Sequence, residues 1–192
     1  MEVMFLDIET TGITADNAIV TAIGICWENG PPDVLFTDEP DEERKILEQF
    51  ASVVREKFKS QSFSIVTWGG KFDISFLRTR YLLNGMDYSF LDKIKHFDLK
   101  AYFINNFRLS DRSLVGVSRI FGVEKNGNLH GSQMPYFYTQ WLRRDADAKQ
   151  KIISHCLDDI RAISLLFKLI RRGTEGMSLD MLKKHVESQG ER

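Results

Sequence analysis

The pattern of hydrophobic and polar positions predicts three strands at the start of the chain. Residues 2–8 are hydrophobic on both faces of an extended segment, which is typical of a buried central strand. Residues 18–27 form a second segment rich in β-forming residues, and residues 33–37 form a short third strand after the turn signal at 29–32. The short connections between them favour an antiparallel meander.

Single strands alternate with helices in the next part of the chain. Strands are predicted at 63–67 and 94–97, and the later sequence is mostly helical. The predicted helices cover about 41–57, 72–83, 99–106, 113–121, 135–143, 147–171 and 178–188. This order predicts one α/β domain over residues 1–192, with a mixed five-stranded sheet, helices on its faces and a helical C-terminal part in which 175–192 are peripheral.

Composition excludes several classes of protein. The chain has 192 residues, 43% hydrophobic and 28% charged, which is typical of one globular domain and not of a disordered chain. No hydrophobic run approaches the roughly 18 residues that a membrane span needs. The first seven residues lack the basic region and cleavage site of a signal peptide. Cys26 and Cys156 show neither metal-site spacing nor a disulfide framework, so a cytoplasmic location is expected.

The chain is nearly neutral, with 26 basic and 27 acidic residues and a net charge of −1. A protein that binds duplex nucleic acid tightly and without specificity often carries a basic excess, which this chain lacks. An enzyme that holds a few nucleotides beside acidic metal ligands is compatible with this balance, because the ligands themselves add negative charge.

Candidate chemistry begins with Asp7 and Glu9, near the end of the first predicted strand. Side chains two residues apart point to the same face of a strand, and Val3 and Phe5 precede the two acids on that face. Buried carboxylates need cations or hydrogen bonds to offset their desolvation. The alternative is a strand that ends in a polar turn, where acids are common.

Asp73 lies in the first turn of the helix predicted at 72–83. On a helical wheel it lies above Leu77 and Tyr81, so its side chain is expected to face inward. The alternative is an N-cap aspartate that binds the backbone of the first turn.

The helix predicted at 147–171 carries a further candidate pair. Asp159 lies at the border of its hydrophobic arc, and His155 lies one turn earlier on the same flank, whereas Asp158 is nearly opposite and is expected in solvent. The alternatives are an Asp159 paired with a neighbouring Arg or Lys, and a partly buried His155 with local hydrogen bonds. The arc itself consists of Ile152, Cys156, Ile160, Ile163, Phe167 and Ile170.

Taken together, the four acids predict a metal site. Asp7, Glu9, Asp73 and Asp159 offer only oxygen ligands, which suit Mg²⁺ or Mn²⁺ and not zinc. Two such ions about 3.5–4 Å apart can activate a water molecule and stabilise the leaving oxygen of a phosphodiester.

The same segments resemble the motifs of the DEDD exonucleases. Asp7 to Gly12 (Asp-Ile-Glu-Thr-Thr-Gly) resembles the first motif, and Gly69 to Leu77 resembles the second motif of the proofreading domains of family B DNA polymerases. His155 to Asp159 resembles the third motif. The segment His130-Gly131-Ser132-Gln133, the aromatic stretch after it and the final helix are similar to stand-alone relatives of those domains.

The resemblance implies an RNase H-like fold and release of nucleotides from the 3′ end of single-stranded DNA or RNA. It implies two Mg²⁺ or Mn²⁺ ions held by Asp7, Glu9, Asp73 and Asp159. It also implies that the backbone of Thr10 and Thr11 lies near the terminal 3′-OH.

Two positions depart from the family pattern. In this branch a tyrosine usually stands four residues before the last aspartate, where this chain has His155. Histidine titrates near neutral pH and can act as a general base, whereas tyrosine mostly orients water. His155 is therefore assigned to binding or activating the nucleophilic water. Trp68 replaces the usual asparagine of the second motif and is interpreted either as a base-stacking side chain or as core.

The remaining candidate substrate contacts lie in the helix predicted at 72–83 or directly before it. Phe72 is one of them, although core packing is the favoured interpretation of this residue. Lys71, Arg78 and Arg80 either reach phosphates or form a solvated helix face, which is the commoner use of such residues. The aromatic run at 136–138 is interpreted as core packing, with a nucleotide platform as the alternative.

Two other functions use the same scaffold. One is an RNase H-type endonuclease, and the other is a catalytically inactive nucleic-acid-binding module. The choice between DNA and RNA depends on contacts to the 2′-OH, which the sequence does not place.

Overall fold

A computed structural model describes residues 2–125 and 129–173, which form a mixed five-stranded sheet flanked by helices. The strands are β1 (Glu2–Thr10), β2 (Val20–Trp27), β3 (Pro32–Phe36), β4 (Phe63–Thr67) and β5 (Lys95–Asp98). Their order in the sheet is β3–β2–β1–β4–β5. The pairs β1–β2 and β2–β3 are antiparallel, while β1–β4 and β4–β5 are parallel. The predicted α/β fold, with its meander and parallel additions, is confirmed.

The central strand β1 is longer than predicted. Its pairing with β2 continues to Thr10, which lies opposite Val20, after a register irregularity between Glu9 and Thr10. This extension keeps Glu9 inside the strand, so the alternation of side chains places it on the same face as Asp7.

The helices agree with the predicted positions to within a few residues. They are α1 (Glu43–Ser60), α2 (Gly70–Leu83), α3 (Ser89–Asp92), α4 (Leu99–Asn106), α5 (Leu114–Ile120), α6 (Met134–Leu142) and α7 (Ala146–Gly173). The short α3 and the 3₁₀ turns at Pro40–Glu42 and Gly131–Gln133 were not predicted, because they are too short to show helical periodicity. The helix predicted at 178–188, within the peripheral segment 175–192, lies outside the described residues.

Two hydrophobic clusters cover the two faces of the sheet. Met4 and Leu6 pack with α1 and α2 on one face. Val3 and Phe5, which alternate with them, pack with α4, α5 and α7 on the other face. Asp7 and Glu9 continue the row of Val3 and Phe5, so they emerge on the face that α7 covers. The hydrophobic arc of α7 is confirmed, because its six residues Ile152, Cys156, Ile160, Ile163, Phe167 and Ile170 are all buried.

A glycine allows α7 to approach the sheet closely. Gly24 of β2 lies opposite Asp7, and a Cβ atom at Gly24 would come within 2.5 Å of the Cys156 Sγ and 3.0 Å of Ile160 Cγ1. Any side chain at this position would therefore push α7 away from β1. The close contact brings the residues around Cys156 next to the end of β1.

The aromatic run at 136–138 is only partly core. Tyr138 is buried in a small cluster with Met134 and Ile152, whereas Tyr136 is exposed. Core packing is thus correct for Tyr138 and wrong for Tyr136.

Within the described ranges, no helix combines the length and the hydrophobicity needed to cross a bilayer.

Candidate active site and metal centre

Asp7 and Glu9 form the first half of a carboxylate cluster. Asp7 is partly buried, and Glu9 is 5% exposed. Burial raises the pKa of both carboxyl groups well above their usual values, and nearby carboxylates raise both further. The predicted neighbours Asp73 and Asp159 are among the groups that act on both of them. A plain strand end in a polar turn would not place carboxylates in this environment.

Asp73 faces this cluster from the first turns of α2. Its side chain is 4% exposed, in line with the predicted inward direction. The N-cap alternative is wrong, because Gly69 occupies the cap position in a left-handed conformation (φ 82°) and α2 begins at Gly70. Asp73 is thus the fourth residue of the helix. Burial raises its pKa to about 8, against the lowering effect of hydrogen bonds from the backbone N–H groups of Asp73 and Ile8.

Asp159 reaches the cluster from α7 and forms a buried ion pair. Its Oδ1 lies 2.5 Å from the Nζ of Lys125, whose side chain is only 4% exposed. The alternative of a cationic partner for Asp159 is therefore correct, and it coexists with the predicted inward position. Lys125 lies in the connection after α5, and sequence reasoning missed it because nothing in its neighbourhood marks it as buried.

His155 lies between Glu9 and Asp159. Its Nε2 is 3.6 Å from Glu9 Oε1 and 3.9 Å from Asp159 Oδ2. Within the described part of the chain its Nδ1 has no hydrogen-bond partner, so the alternative of a locally hydrogen-bonded histidine is not supported. Burial holds the pKa of His155 below its usual value, which favours the neutral imidazole.

The expectation that Asp158 lies in solvent is wrong. Its side chain is only 13% exposed, and its Oδ1 lies 3.6 Å from Arg161 Nη1. The negative charge of Asp158 also acts on His155, one turn earlier on α7. The helical wheel gave the angle of Asp158 from the hydrophobic arc of α7 but not how much of its side chain the rest of the protein covers.

The segment His130–Gln133 lies beside the same histidine. A Cβ atom at Gly131 would lie 3.9 Å from His155 Nε2. The motif noted for its resemblance to stand-alone relatives therefore borders the cluster, although it is about 25 residues from His155 in sequence.

The cluster fits divalent cations. Four carboxylates converge, and one buried ammonium, that of Lys125, faces them among the described residues. Burial is the main cause of the raised pKa values of Asp7, Glu9 and Asp73, and neighbouring carboxylates raise all three further. Oxygen ligands with an excess of negative charge suit hard divalent cations, which would restore the ionised state of the carboxylates.

Thr10 and Thr11 shape the turn that follows β1. The hydroxyl of Thr10 donates to the carbonyl of Gly12 at 2.6 Å. Thr11 donates its backbone N–H to the carbonyl of Ile19 and accepts from the N–H of Ile19 through its hydroxyl, both at 3.0 Å. These bonds hold the turn beside Asp7 and Glu9. A contact between the backbone of Thr10 and Thr11 and a terminal 3′-OH stays a prediction.

The candidate contacts from the second motif differ in exposure. Trp68 is partly buried and packs against Phe103 with ring centroids 5.9 Å apart, which favours its interpretation as core. The core interpretation of Phe72 is wrong, because its side chain is 41% exposed. Phe72 and the exposed Lys71 line a surface groove of about 380 Å³ together with the exposed Ile13. This groove runs between the turn after β1 and the start of α2.

Arg80 is a structural residue and not a free phosphate ligand. It binds both carboxylate oxygens of the buried Glu43 and the carbonyl of Ala15. Glu43 in turn accepts from the backbone N–H of Val20 at 2.8 Å. This network ties α1 and α2 to the loop between β1 and β2, so it holds the groove wall in place. Arg78 is likewise paired, with Asp92.

Comparisons with known proteins add a family and a set of similar folds. The family model of the RNase H superfamily matches residues 4–171. A search of curated proteins finds no match.

The similar solved structures include a DNA polymerase and an exonuclease. The family B DNA polymerase from Pyrobaculum calidifontis superposes with a TM-score of 0.73 at 19% identity, over 88% of this chain and 24% of the polymerase. Escherichia coli exonuclease I in complex with a dT13 oligonucleotide gives 0.60 at 15% identity, over 88% and 41% of the two chains. Its complex with a dA16 oligonucleotide gives 0.59 at 14% identity, over 96% and 42%. This chain spans less than half the length of each of them.

Proposed function

This chain belongs to the RNase H superfamily, and on that premise we propose that it is a 3′–5′ exonuclease dependent on Mg²⁺ or Mn²⁺. Its substrate is the 3′ end of single-stranded DNA or RNA. The observation that carries the proposal is the convergence of Asp7, Glu9, Asp73 and Asp159 around His155. The cluster lies at the C-terminal end of the central strand β1, and carboxylates are the type of ligand that two-metal phosphodiester hydrolysis uses, which supports the proposal.

The residues of the cluster take distinct roles in the reaction. Asp7, Glu9, Asp73 and Asp159 hold two divalent cations, which when bound supply Lewis acidity toward the scissile phosphate. The neutral His155 accepts a proton from the attacking water at Nε2. The water oxygen forms a bond to phosphorus, and the bond from phosphorus to the 3′ oxygen of the penultimate nucleotide breaks. That oxygen takes a proton from solvent, so the products are a nucleoside 5′-monophosphate and a shortened strand with a free 3′-OH.

The groove beside the cluster supports a single-stranded substrate. The exposed side chains of Ile13 and Phe72 offer apolar surface to unstacked bases, and Lys71 offers a positive charge to the backbone. Bases of a duplex are stacked inside the helix and do not present such faces. Two of the exonuclease I structures that resemble this chain are complexes with dT13 and dA16 oligonucleotides, which is in line with this substrate class.

Digestion of 5′-labelled single strands tests the proposed function. DNA and RNA oligonucleotides, each with a free or a phosphorylated 3′ end, are incubated with Mg²⁺, Mn²⁺ or EDTA. We expect a metal-dependent ladder that starts only from free 3′ ends, and its rate on the two polymers identifies the preferred sugar. Internal cuts that ignore the 3′ block would indicate an endonuclease. Metal binding without cleavage of either polymer would indicate a binding module.

The pH dependence of cleavage tests the role of His155. Because burial lowers the pKa of His155, the acidic limb of the parent kcat/KM profile is expected below roughly pH 6.5, where the imidazole becomes protonated and can no longer accept a proton. A His155→Tyr variant should retain part of the activity, since loss of a general base costs about 10²- to 10⁴-fold and a tyrosine can still orient water. At saturating Mg²⁺, the acidic limb of the kcat/KM profile of this variant should lie at a different pH from that of the parent.

A histidine of the sheet provides the control for this measurement. His96 lies on β5 with its Nε2 3.1 Å from the Thr67 hydroxyl, and it is not among the groups that shift the pKa of His155. His96→Gln should therefore leave the limb close to its parent position. A limb that stays in place in His155→Tyr would rule out His155 as the base.

A further inference from the structure

Asp98 connects the starts of two helices near the carboxylate cluster. It is the last residue of β5 and the N-cap of α4, where its Oδ1 accepts the backbone N–H of Ala101 at 3.1 Å. The same oxygen accepts the N–H of Gly69, the cap residue of α2, also at 3.1 Å. Thr67, the last residue of β4, pairs with Asp98, so the two strands end side by side and both helices begin there.

The bond to Gly69 gives α2 a support that its own cap residue cannot provide. Gly69 has no side chain, and its left-handed conformation depends on outside contacts because glycine is the most flexible residue. On the other side of the same turn, the backbone N–H of Ile8 donates to the carboxylate of Asp73. Burial is the main cause of the raised pKa of Asp73, and the negative charge of Asp98 adds to it, so the two carboxylates lie near each other.

We propose that Asp98 is a positioning residue for the metal centre of the proposed function, on which this inference rests. By holding the N–H of Gly69, Asp98 fixes where α2 begins and therefore where the carboxylate of Asp73 meets the other acids. It acts through the backbone of Gly69 and not by contact with the strand or the cations. Groups that orient a metal ligand in this way contribute about 10- to 100-fold to metal affinity.

The inference is tested by calorimetric titration of Mg²⁺ into metal-free protein. Asp98→Ala removes the acceptor and should bind Mg²⁺ about 10- to 100-fold more weakly than the parent. Asp98→Asn keeps an oxygen that can accept both N–H groups, so it should recover most of the affinity. If Asp98→Ala does not fold, Asp98→Ser takes its place, because serine can still cap α4 while its side chain is one bond shorter toward Gly69.

Ser113→Ala gives the matched control. Ser113 caps α5 by accepting the N–H of Gly116 at 3.0 Å, so this variant loses the cap of a helix of similar length and leaves α2 unchanged. Its Mg²⁺ affinity should equal that of the parent. An unchanged affinity in Asp98→Ala, or an equal loss in Ser113→Ala, would overturn the inference, because Asp98 would then be an ordinary N-cap.

Hydrogen exchange in EDTA tests the role of Asp98 without metal. The backbone amides of residues 69–73 should exchange faster in Asp98→Ala than in the parent, in Asp98→Asn or in Ser113→Ala, because the turn at Gly69 has lost its acceptor. Exchange at the parent rate in Asp98→Ala would contradict the proposal. A parent protein that bound no Mg²⁺ but showed this Asp98-dependent exchange would refute the metal centre of the proposed function, and the placement of Asp73 by Asp98 would stand.

Discussion

An Asp7→Asn variant is expected to lose at least about 1000-fold in the rate of metal-dependent strand cleavage, and Asp159→Asn a similar factor. Lewis-acid stabilisation is worth several kcal/mol, and about 4 kcal/mol corresponds to 1000-fold in rate. Asp7 lies at the centre of the cluster, where Glu9, Asp159 and Asp73 all act on it. Asparagine keeps the shape of the side chain and removes the charge that holds the cations. Single-turnover cleavage of 5′-labelled strands at saturating Mg²⁺ measures the loss.

Asp147→Asn is the matched control for these variants. Asp147 lies in the first turn of the same helix as Asp159, and its side chain is exposed. The same chemical change there should leave the rate close to that of the parent. Asp158 cannot serve this purpose, because it is largely buried and its charge acts on His155. Full activity in Asp159→Asn would remove Asp159 from the set of metal ligands.

The fold could be predicted from sequence because its elements carry strong local patterns. The central strand is hydrophobic on both faces, and the arc of α7 repeats over many helical turns. Short elements such as Ser89–Asp92 lack room for a period, so they were missed. The start of α1 was predicted too early because the three consecutive acids at 41–43 favour a helix start, whereas the first two of them lie in the 3₁₀ turn that begins at Pro40.

The site could be predicted only where the periodicity of a strand or helix gives the direction of a side chain. Asp7 and Glu9 follow a strand period, and Asp73 and Asp159 follow helical wheels, so their convergence was within reach of sequence reasoning. The buried pair of Lys125 with Asp159 and that of Arg80 with Glu43 join residues that are 34 and 37 positions apart. No local pattern reports such contacts, because they depend on how elements pack in three dimensions. The exposure of Phe72 was missed for the same reason.

The carboxylate cluster also has a thermodynamic consequence in the absence of metal. The pKa of Asp73 is raised to about 8 in the folded protein, whereas an aspartate in the unfolded chain titrates near about 4. Between these values the folded state holds a proton that the unfolded state has released. The free energy of unfolding therefore falls as pH rises from about 4 to about 8, and the stability that the bound proton provides is lost above that range.

Asp73→Asn should consequently stabilise the metal-free protein at pH 8 while removing its response to Mg²⁺. One pKa unit corresponds to about 1.4 kcal/mol, so the gain is on the order of several kcal/mol. Urea unfolding with EDTA at pH 6, 7 and 8 should show a decline in the parent and in the Asp147→Asn control, and a flatter profile in Asp73→Asn.

Stabilisation of the parent protein by Mg²⁺ should increase with pH, whereas the stability of the metal-free protein decreases. A cation must displace the proton from Asp73, so stabilisation of the parent by a fixed Mg²⁺ concentration should be larger at pH 8 than at pH 6. Asp73→Asn lacks both the proton and the carboxylate, so this difference should disappear. If Asp73→Asn were instead less stable than the parent at pH 8 in EDTA, the hydrogen bonds from the backbone N–H groups of Asp73 and Ile8 would outweigh the cost of the buried charge. This result would refute the idea that the Asp73 carboxylate destabilises the metal-free protein and is kept for metal binding, because the carboxylate would stabilise the fold even without a cation.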